Sequence, residues 1–360
     1  MTRSPVFAAA LLLLFAAAAR AQEGARGGAV RGVVRSTEGE SVPYAVVAFT
    51  PGFGQKFTDE TGAFAYSNVP PGTYRLVVRQ VGFRPFDTTV VKVVNVPLSV
   101  TVALERLAVE LSQITVVAER HCTDPGAPDS AVSRELASIF GQLRENADRF
   151  AFLADSYPYR YRIQRTFTDY DNTNRIIRTT IDTVQYQSNA RARYRPGEVV
   201  GFGPGPSRTQ ARILKLPTLS DLADSAFLSS HCFSFGGTSQ RGQDRLVRFE
   251  FRPAETLRTA DIEGDVELDA RTYQVRRATV KLTRAGRAMP GLLSAADTMT
   301  FAELYPNIVL PQRVQGTLVP SPEYGVQRKV GRSTEVQQLL DVHFVRALPA
   351  ARRPPAPTPD

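Results

Sequence analysis

The stretch that decides the fold lies near the N-terminus, where residues 58–81 read TDETGAFAYSNVPPGTYRLVVRQV. Asp59 and Gly62 have the chemistry of a tight turn, because glycine accepts a positive φ without a Cβ clash. After this turn Phe64 and Tyr66 alternate with small residues, which is the period-two pattern of a half-buried strand. The Pro-Pro-Gly that follows predicts a second turn, and a longer strand comes after it.

The same pattern extends outward in both directions, from residue 29 to residue 104. Turn residues recur about every 8–12 positions, which indicates an all-β sandwich or barrel. The predicted strands lie near residues 30–35, 44–49, 63–66, 73–81, 86–94 and 96–104.

GVVRSTEGESVPYAVVAF, followed by TDETGAFAYSNVPPGTYRLVVRQVGFRP, resembles the carboxypeptidase regulatory-like domain. Three turns and the strands between them match in order, over about one fifth of the chain. The resemblance implies a seven-stranded transthyretin-like sandwich at residues 28–105. The family occurs beside zinc carboxypeptidases, at the N-termini of TonB-dependent outer-membrane receptors and in bacterial envelope proteins. Because a fold does not determine a function, the domain alone implies no enzyme.

The first 21 residues have the features of an export signal. Arg3 provides the positive start, residues 6–19 form an apolar run too short for a stable membrane span, and Ala19-Arg20-Ala21 resembles a cleavage site. We therefore expect cleavage near Ala21 and delivery to an oxidising compartment, the periplasm or the outer membrane. The alternative is a membrane anchor.

The chain has a formal net charge of +9, and loss of Arg3 and Arg20 with the signal would leave +7. The basic residues are scattered, without a dense run interleaved with aromatics, so nucleic-acid binding is disfavoured. A solvated basic surface explains them most simply. Attraction to anionic lipid head groups or surface glycans is the alternative.

A linker and an amphipathic helix are predicted after the sandwich. LSQITVVAER, at residues 111–120, resembles the join that precedes the plug of TonB-dependent receptors, but the chain is too short for a plug and a barrel. We therefore interpret 106–120 as an edge strand and linker. Asp129 or Ser130 is the expected cap of a helix over about residues 130–153. Its apolar stripe comprises Val132, Leu136, Ile139, Leu143, Ala147 and Phe150.

Strand patterns return from residue 157 and predict an α+β domain at 121–347, in which one long helix packs on a curved antiparallel sheet. RLVRFEFRPAETLRTADIEGDVELDARTYQVRRATVKLT is similar to lipoprotein-carrier-like half-barrels, whose sheet wraps a helix and can hold an acyl chain. We favour the interpretation that the helix fills the concave face, and a ligand cavity is the alternative. Strands are predicted at 157–163, 176–186, 208–214, 246–251, 262–268, 272–282, 298–304, 308–318 and 334–345, a short helix at 219–228, a loop at 201–206 and a disordered Pro-rich tail at 348–360.

The only two cysteines, Cys122 and Cys232, favour a disulfide in an exported chain. Each follows a histidine, so a zinc site from His121-Cys122 and His231-Cys232 is the alternative. Adjacent ligands rarely face one metal, and the usual spacing leaves two to four residues between them.

No catalytic motif emerges from the sequence. His121, His231 and His343 stand in no His-Glu-x-x-His arrangement, and Gly-x-Ser-x-Gly does not occur. The candidate acidic residues for acid–base chemistry or for binding calcium are Asp124, Asp129, Glu263, Asp265, Glu267 and Asp269. Four of them alternate from 263 to 269 and are explained more simply as the solvated face of a strand.

The sequence thus predicts a mainly β, non-catalytic, exported protein without a cofactor or metal. Its expected role is a binding or scaffold module of the cell envelope, with an envelope protein, a glycan or a lipid as partner. A carrier that holds a lipid or lipidated ligand in the second domain is the first alternative, and a hydrolase is the second.

Overall fold

The computed structural model describes residues 27–94, 96–108, 121–131, 133–189, 193–205 and 209–350. The predicted signal, residues 109–120 of the linker and the last ten residues of the predicted tail lie outside this part. The described chain divides into two compact units. The first contains the described residues up to Arg79 together with Pro85–Glu105, and the second contains Gln80–Arg84 and those from Arg106 to Leu348.

The first unit is a sandwich of seven strands in two sheets, as the family resemblance implied. Its sheets have the orders β4-β1-β7 and β3-β2-β5-β6, with β1 and β7 parallel and the other pairs antiparallel. The strands are β1 (Gly28–Ser36), β2 (Val46–Thr50), β3 (Gly54–Phe57), β4 (Ala63–Val69), β5 (Gly72–Arg79), β6 (Phe86–Lys92) and β7 (Leu98–Leu104).

The tight turn at residues 59–62 has the predicted geometry. The Oδ1 atom of Asp59 accepts hydrogen bonds from the amides of Thr61 and Ala63, at 2.8 and 2.9 Å. Gly62 has a φ of +82°, and a Cβ at this position would lie 2.5 Å from the Val34 carbonyl oxygen. Glycine is therefore required both by the backbone conformation and by the space available.

The second unit is built on one sheet of nine strands, all paired antiparallel, in the order β12-β13-β14-β15-β16-β17-β18-β8-β9. The last strand of the chain thus pairs with the first strand of the unit. The sheet strands are β8 (Tyr159–Tyr170), β9 (Ile176–Gln187), β12 (His231–Arg241), β13 (Asp244–Pro253), β14 (Ile262–Asp269), β15 (Val275–Leu282), β16 (Leu292–Tyr305), β17 (Ile308–Pro320) and β18 (Arg332–Phe344).

The remaining elements connect or cover these strands. Strands β10 (Val200–Pro204) and β11 (Gln210–Leu214) form a separate hairpin, where the Gly- and Pro-rich sequence predicted a loop at 201–206. The predicted helix at 219–228 is two short pieces, a 3₁₀ helix (Leu219–Ala223) and α2 (Ser225–Leu228). The other helices are α1 (Arg134–Ser156), α3 (Ala285–Ala288) and α4 (Pro322–Arg328).

Helix α1 packs its predicted apolar stripe against one half of the nine-stranded sheet. Ile139, Leu143 and Ala147 are buried in a core with phenylalanines and aliphatic residues of β12 to β15. Its cap differs from the prediction, because Ser133 and not Asp129 or Ser130 accepts the hydrogen bond from the amide of Leu136. No helix in the described part of the chain has the length and apolarity that crossing a bilayer would require.

Polar side chains also anchor α1 to the sheet. Asn146 is 5% exposed, and its Nδ2 donates to the Tyr273 carbonyl at 2.8 Å while its Oδ1 accepts from the Val275 amide at 3.1 Å. We expect Asn146→Ala to lower the free energy of unfolding by about 2–4 kcal/mol, since two buried backbone groups lose their partner. Urea denaturation measures this change, with the exposed Arg144→Ala on the same helix as the control. If Asn146→Ala and Arg144→Ala lowered the free energy of unfolding equally, this role of Asn146 would be contradicted.

A cavity beneath the curved sheet

The concave face of the nine-stranded sheet divides into two halves. Helix α1 packs on β12 to β15, and the apolar core there extends to Ala295, Met299 and Phe301 of β16. Over β8 and β16 to β18, a cavity of about 270 Å³ remains between the sheet and residues 216–219. The expectation that the helix fills the concave face is therefore correct for one half of the sheet and wrong for the other.

This first cavity is lined mainly by aromatic and aliphatic side chains. They include Phe150, Tyr159, Tyr161, Ile163, Leu216, Met299, Phe301, Val314, Leu339 and Val342. The alternation in β8 builds one wall, because Tyr159, Tyr161 and Ile163 face the cavity while Arg160 and Arg162 are more exposed or paired on the other face. Burial raises the pKa of Tyr161, and the neighbouring Tyr186 adds to this rise.

A second cavity of about 320 Å³ adjoins the first, and Tyr186, Leu216 and Gln337 line both. Its walls are β8, β9, β16, β17, β18 and the β10–β11 hairpin. They combine charged side chains with apolar ones such as Phe167, Ile213 and Leu318. Arg165 is 2% exposed, and its Nε and Nη2 atoms donate to the two carboxylate oxygens of Asp182 at 2.8 and 2.7 Å. Its Nη1 atom donates to the Pro204 carbonyl at 2.7 Å, which ties the hairpin to the sheet.

Two carboxyl groups of the second cavity lie on β16 and β18, the strands on either side of β17, with Gly316 of β17 between them. Asp297 pairs with Gly316, and Gly316 pairs with Glu335 on the next strand. A Cβ at Gly316 would lie 2.5 Å from Asp297 Oδ1, so this carboxyl group lies over the glycine. Burial, and then repulsion from Glu335, raises the pKa of Asp297 to about 7, and burial also raises the pKa of Glu335.

The structure joins the two cysteines, as their number and compartment predicted. Cys122 and Cys232 form a disulfide with their Cα atoms 5.5 Å apart. The segment that carries Cys122 lies along β12, where the amide of Gly126 donates to the His231 carbonyl at 3.0 Å. The sulfurs are therefore bonded to each other and are not thiolate ligands for zinc.

The three histidines lie at three separate places. His121 is exposed beside Glu255, and His343 is exposed with its Nε2 3.5 Å from Asp341. Neither lines a cavity described above. Among the residues that the structure describes, no group of three or more His, Cys, Asp or Glu is arranged to hold a metal ion.

His231 does meet an acidic neighbour, but inside the packed core. Its ring stacks on Phe227 at 4.0 Å, its Nε2 lies 3.0 Å from the Ile262 carbonyl and 3.8 Å from Asp261, and burial lowers its pKa. Ser230 Oγ lies 3.2 Å from Nδ1 and donates to the Ala226 carbonyl at 2.6 Å. His231 and Asp261 are 0% exposed and line neither cavity, so the group is a structural network.

The acidic run of β14 is not the solvated strand face that the sequence favoured. Glu267 is 3% exposed and lies under Arg241, whose Nε is 3.3 Å from its Oε2. Arg248 of β13 and Arg277 of β15 are its cross-strand neighbours. Burial raises the pKa of Asp265, and repulsion from Glu267 adds to this. The prediction was wrong because neighbouring strands supply long arginine side chains that cover this face.

The carboxypeptidase regulatory-like domain family model matches residues 29–105, which is the sandwich described above. No curated protein matches the chain.

Several solved structures are weakly similar. A DUF1329 family protein from Desulfovibrio piger is 10% identical, with 59% of this chain and 95% of that chain covered and a TM-score of 0.34. A putative outer membrane lipoprotein-sorting protein domain from Vibrio parahaemolyticus is 13% identical, with 59% and 93% covered and a TM-score of 0.33.

GBS52, the minor pilin of Streptococcus agalactiae, is 15% identical, with a TM-score of 0.22. The match covers 24% of this chain and 47% of the pilin. Likenesses this weak assign no function to the chain.

Proposed function

We propose that this protein is an exported, non-catalytic binding protein of the cell envelope, and that its second unit holds a lipid or lipidated ligand beneath the curved sheet. The observation that carries the proposal is the cavity of about 270 Å³ with its aromatic and aliphatic lining. Apolar cavities of this kind, with a few polar groups at one side, are the usual form of small-molecule sites. The export features of residues 1–21 support the envelope as the location.

The separate histidines favour binding over catalysis. A hydrolase of the serine type needs a nucleophile and a base that a substrate can reach. Here His121 and His343 stand apart on the surface, and His231 is enclosed by the core. The cavity contains tyrosines and aliphatic residues, which provide contact area without a reactive group.

Native mass spectrometry of the purified full chain tests the proposal directly. We expect a co-purifying species with the mass of an acyl lipid, and its release on denaturation. Repeated absence of such a species, together with no binding of a fluorescent fatty acid, would contradict the carrier function and favour a binding role confined to the sandwich.

The variant Leu339→Trp provides a sharper test, because the indole would occupy the cavity that Leu339 lines. We expect at least a 10-fold loss of affinity for a fluorescent fatty acid, since a filled site excludes the chain. Leu340→Trp is the matched control, because Leu340 is the next residue and is 47% exposed. The chain has no tryptophan, so each variant carries a single tryptophan whose emission reports whether it folds. Equal affinity in the two folded variants would place the ligand elsewhere.

A further inference from the structure

We propose that the second cavity binds the cationic head group of an amphipathic ligand at its charged side chains, Asp297 and Glu335, and that the adjoining first cavity holds the chain of that ligand. The inference rests on the proposed function and adds the chemical class of the ligand.

The charges around the second cavity leave Asp297 without a cation. Glu335 has only the attraction of Arg165, which lowers its pKa by less than burial raises it. Arg165 is held by Asp182 through two hydrogen bonds. Arg178 donates to Asp169 through Nη2 at 2.5 Å. Each arginine that faces the cavity from β8 or β9 is therefore neutralised by a carboxylate of the neighbouring strand.

The other charged group in the lining, Arg212 of β11, is engaged away from this pair. Its guanidinium lies 5.8 Å from the Phe202 ring centroid, and its Nη1 lies 3.4 Å from the Ala288 carbonyl. Tyr186 is the remaining titratable side chain, and burial raises its pKa, so it stays neutral.

Asp297 and Glu335 thus form a pair of acids with no cation of its own, because Arg165, whose charge also acts on Glu335, is hydrogen-bonded to Asp182. In the part of the chain that the structure describes, Asp297 has no hydrogen-bond or ion-pair partner. Glu335 accepts a hydrogen bond from Gln337 at 2.9 Å. Gly316 between them leaves room for the Asp297 carboxyl group, which lies over the glycine at the wall of the cavity.

A cation fits this arrangement better than an anion or a neutral group. Two partly buried carboxyl groups repel each other, and an ammonium group between them would relieve the repulsion and donate charge-assisted hydrogen bonds. The raised pKa of Asp297, about 7, is consistent with a carboxyl group that lacks its counter-charge. The shared lining of Tyr186, Leu216 and Gln337 would let one molecule place its chain in the first cavity and its head in the second.

Competition against a neutral solvatochromic dye, with the full-length protein, tests the inference. The probes are dodecylamine, 1-dodecanol and dodecanoic acid, which differ only in the head group. At pH 8 we expect dodecylamine to bind at least about 10-fold more tightly than 1-dodecanol. The reason is that its ammonium group would form a charge-assisted hydrogen bond that the hydroxyl group cannot form. The preference should fall at pH 6, because Asp297 is then protonated and uncharged while the alkylammonium keeps its charge.

Three variants make the test specific. Asp297→Asn and Glu335→Gln should each remove most of the preference for dodecylamine and leave the affinity for 1-dodecanol unchanged. Asp244→Asn, which removes one negative charge at the exposed start of β13, is the control and should keep the preference. Asp297→Asn should be at least as stable as the parent at pH 8, because a carboxyl group with a raised pKa opposes folding once it is ionised.

The alternative outcomes are distinct. Equal binding of the three probes would overturn the head-group inference and leave the apolar cavity as the site. Preference for dodecanoic acid would overturn it in favour of an anion beside Arg165. Failure of all three to bind would overturn the proposed function together with this inference.

Discussion

Removal of the Cys122–Cys232 disulfide is expected to lower the free energy of unfolding by about 4–5 kcal/mol at most. The bond joins residues 110 positions apart, so the unfolded chain without it gains the entropy of a long open loop. That loop contains α1, β8, β9 and the β10–β11 hairpin, so the bond constrains most of the elements that surround the cavities.

The loss should also be visible locally. Without the bond, the segment around Cys122 is held to the edge of the sheet by few contacts, among them the Gly126–His231 and Glu255–Cys122 backbone hydrogen bonds. We expect faster amide exchange in residues 121–131 and at β12, because an edge strand loses its cover.

Denaturant unfolding of the parent with and without reductant, and of a Cys122→Ala/Cys232→Ala double variant, measures the effect. The reductant should destabilise the parent and leave the double variant unchanged, which separates the bond from other actions of the reductant. A double variant as stable as the oxidised parent would show that the bond does not constrain the unfolded chain.

Phe249→Ala is expected to lower the free energy of unfolding by about 3–5 kcal/mol, which is the range for removing a large aromatic side chain from a core. Phe249 lies on β13, is 1% exposed and has its ring centroid 6.2 Å from that of Phe140 on α1. Its cross-strand partners are Phe235 and Val266, both buried. A cavity at this point therefore weakens the contact between the helix and the sheet as well as the sheet face itself.

Phe202→Ala is the matched control, because Phe202 is 70% exposed on the β10–β11 hairpin. The same substitution there should change stability by less than about 0.5 kcal/mol. Circular dichroism in urea reports both values. If the two variants were equally stable, Phe249 would not lie in the core that the structure places around it.

Local sequence patterns were sufficient to predict most of the strands and the long helix of this protein. Alternation and turn residues predicted most strands, with ends that differ by a few residues, and the apolar spacing predicted α1. These signals are short-range, because a strand or helix face repeats every two or three to four residues. Strands β3, β10 and β12 were missed. In β12 the Gly236-Gly237 pair and the polar end dilute the alternation.

The cavity was not predictable from the local sequence pattern alone. The alternation of Tyr159, Tyr161 and Ile163 predicted an apolar strand face. The same alternation is expected whether a helix or a ligand covers that face. Which half of the sheet α1 covers follows from long-range strand order, in which β18 returns to pair with β8. Likewise, Asp297 and Glu335 are 38 positions apart and meet only because β17 places Gly316 between them.

The sequence by itself determined the mainly β architecture, the regulatory-like sandwich, the amphipathic helix and the two cysteines available for a bond. Each of these is encoded by neighbouring residues or by composition. Only the tertiary structure decided that cavities remain over half of the curved sheet, that the acidic face of β14 lies under arginines, and that two acids share one cavity. Those features arise from the register of strands distant in sequence, and no short segment contains that information.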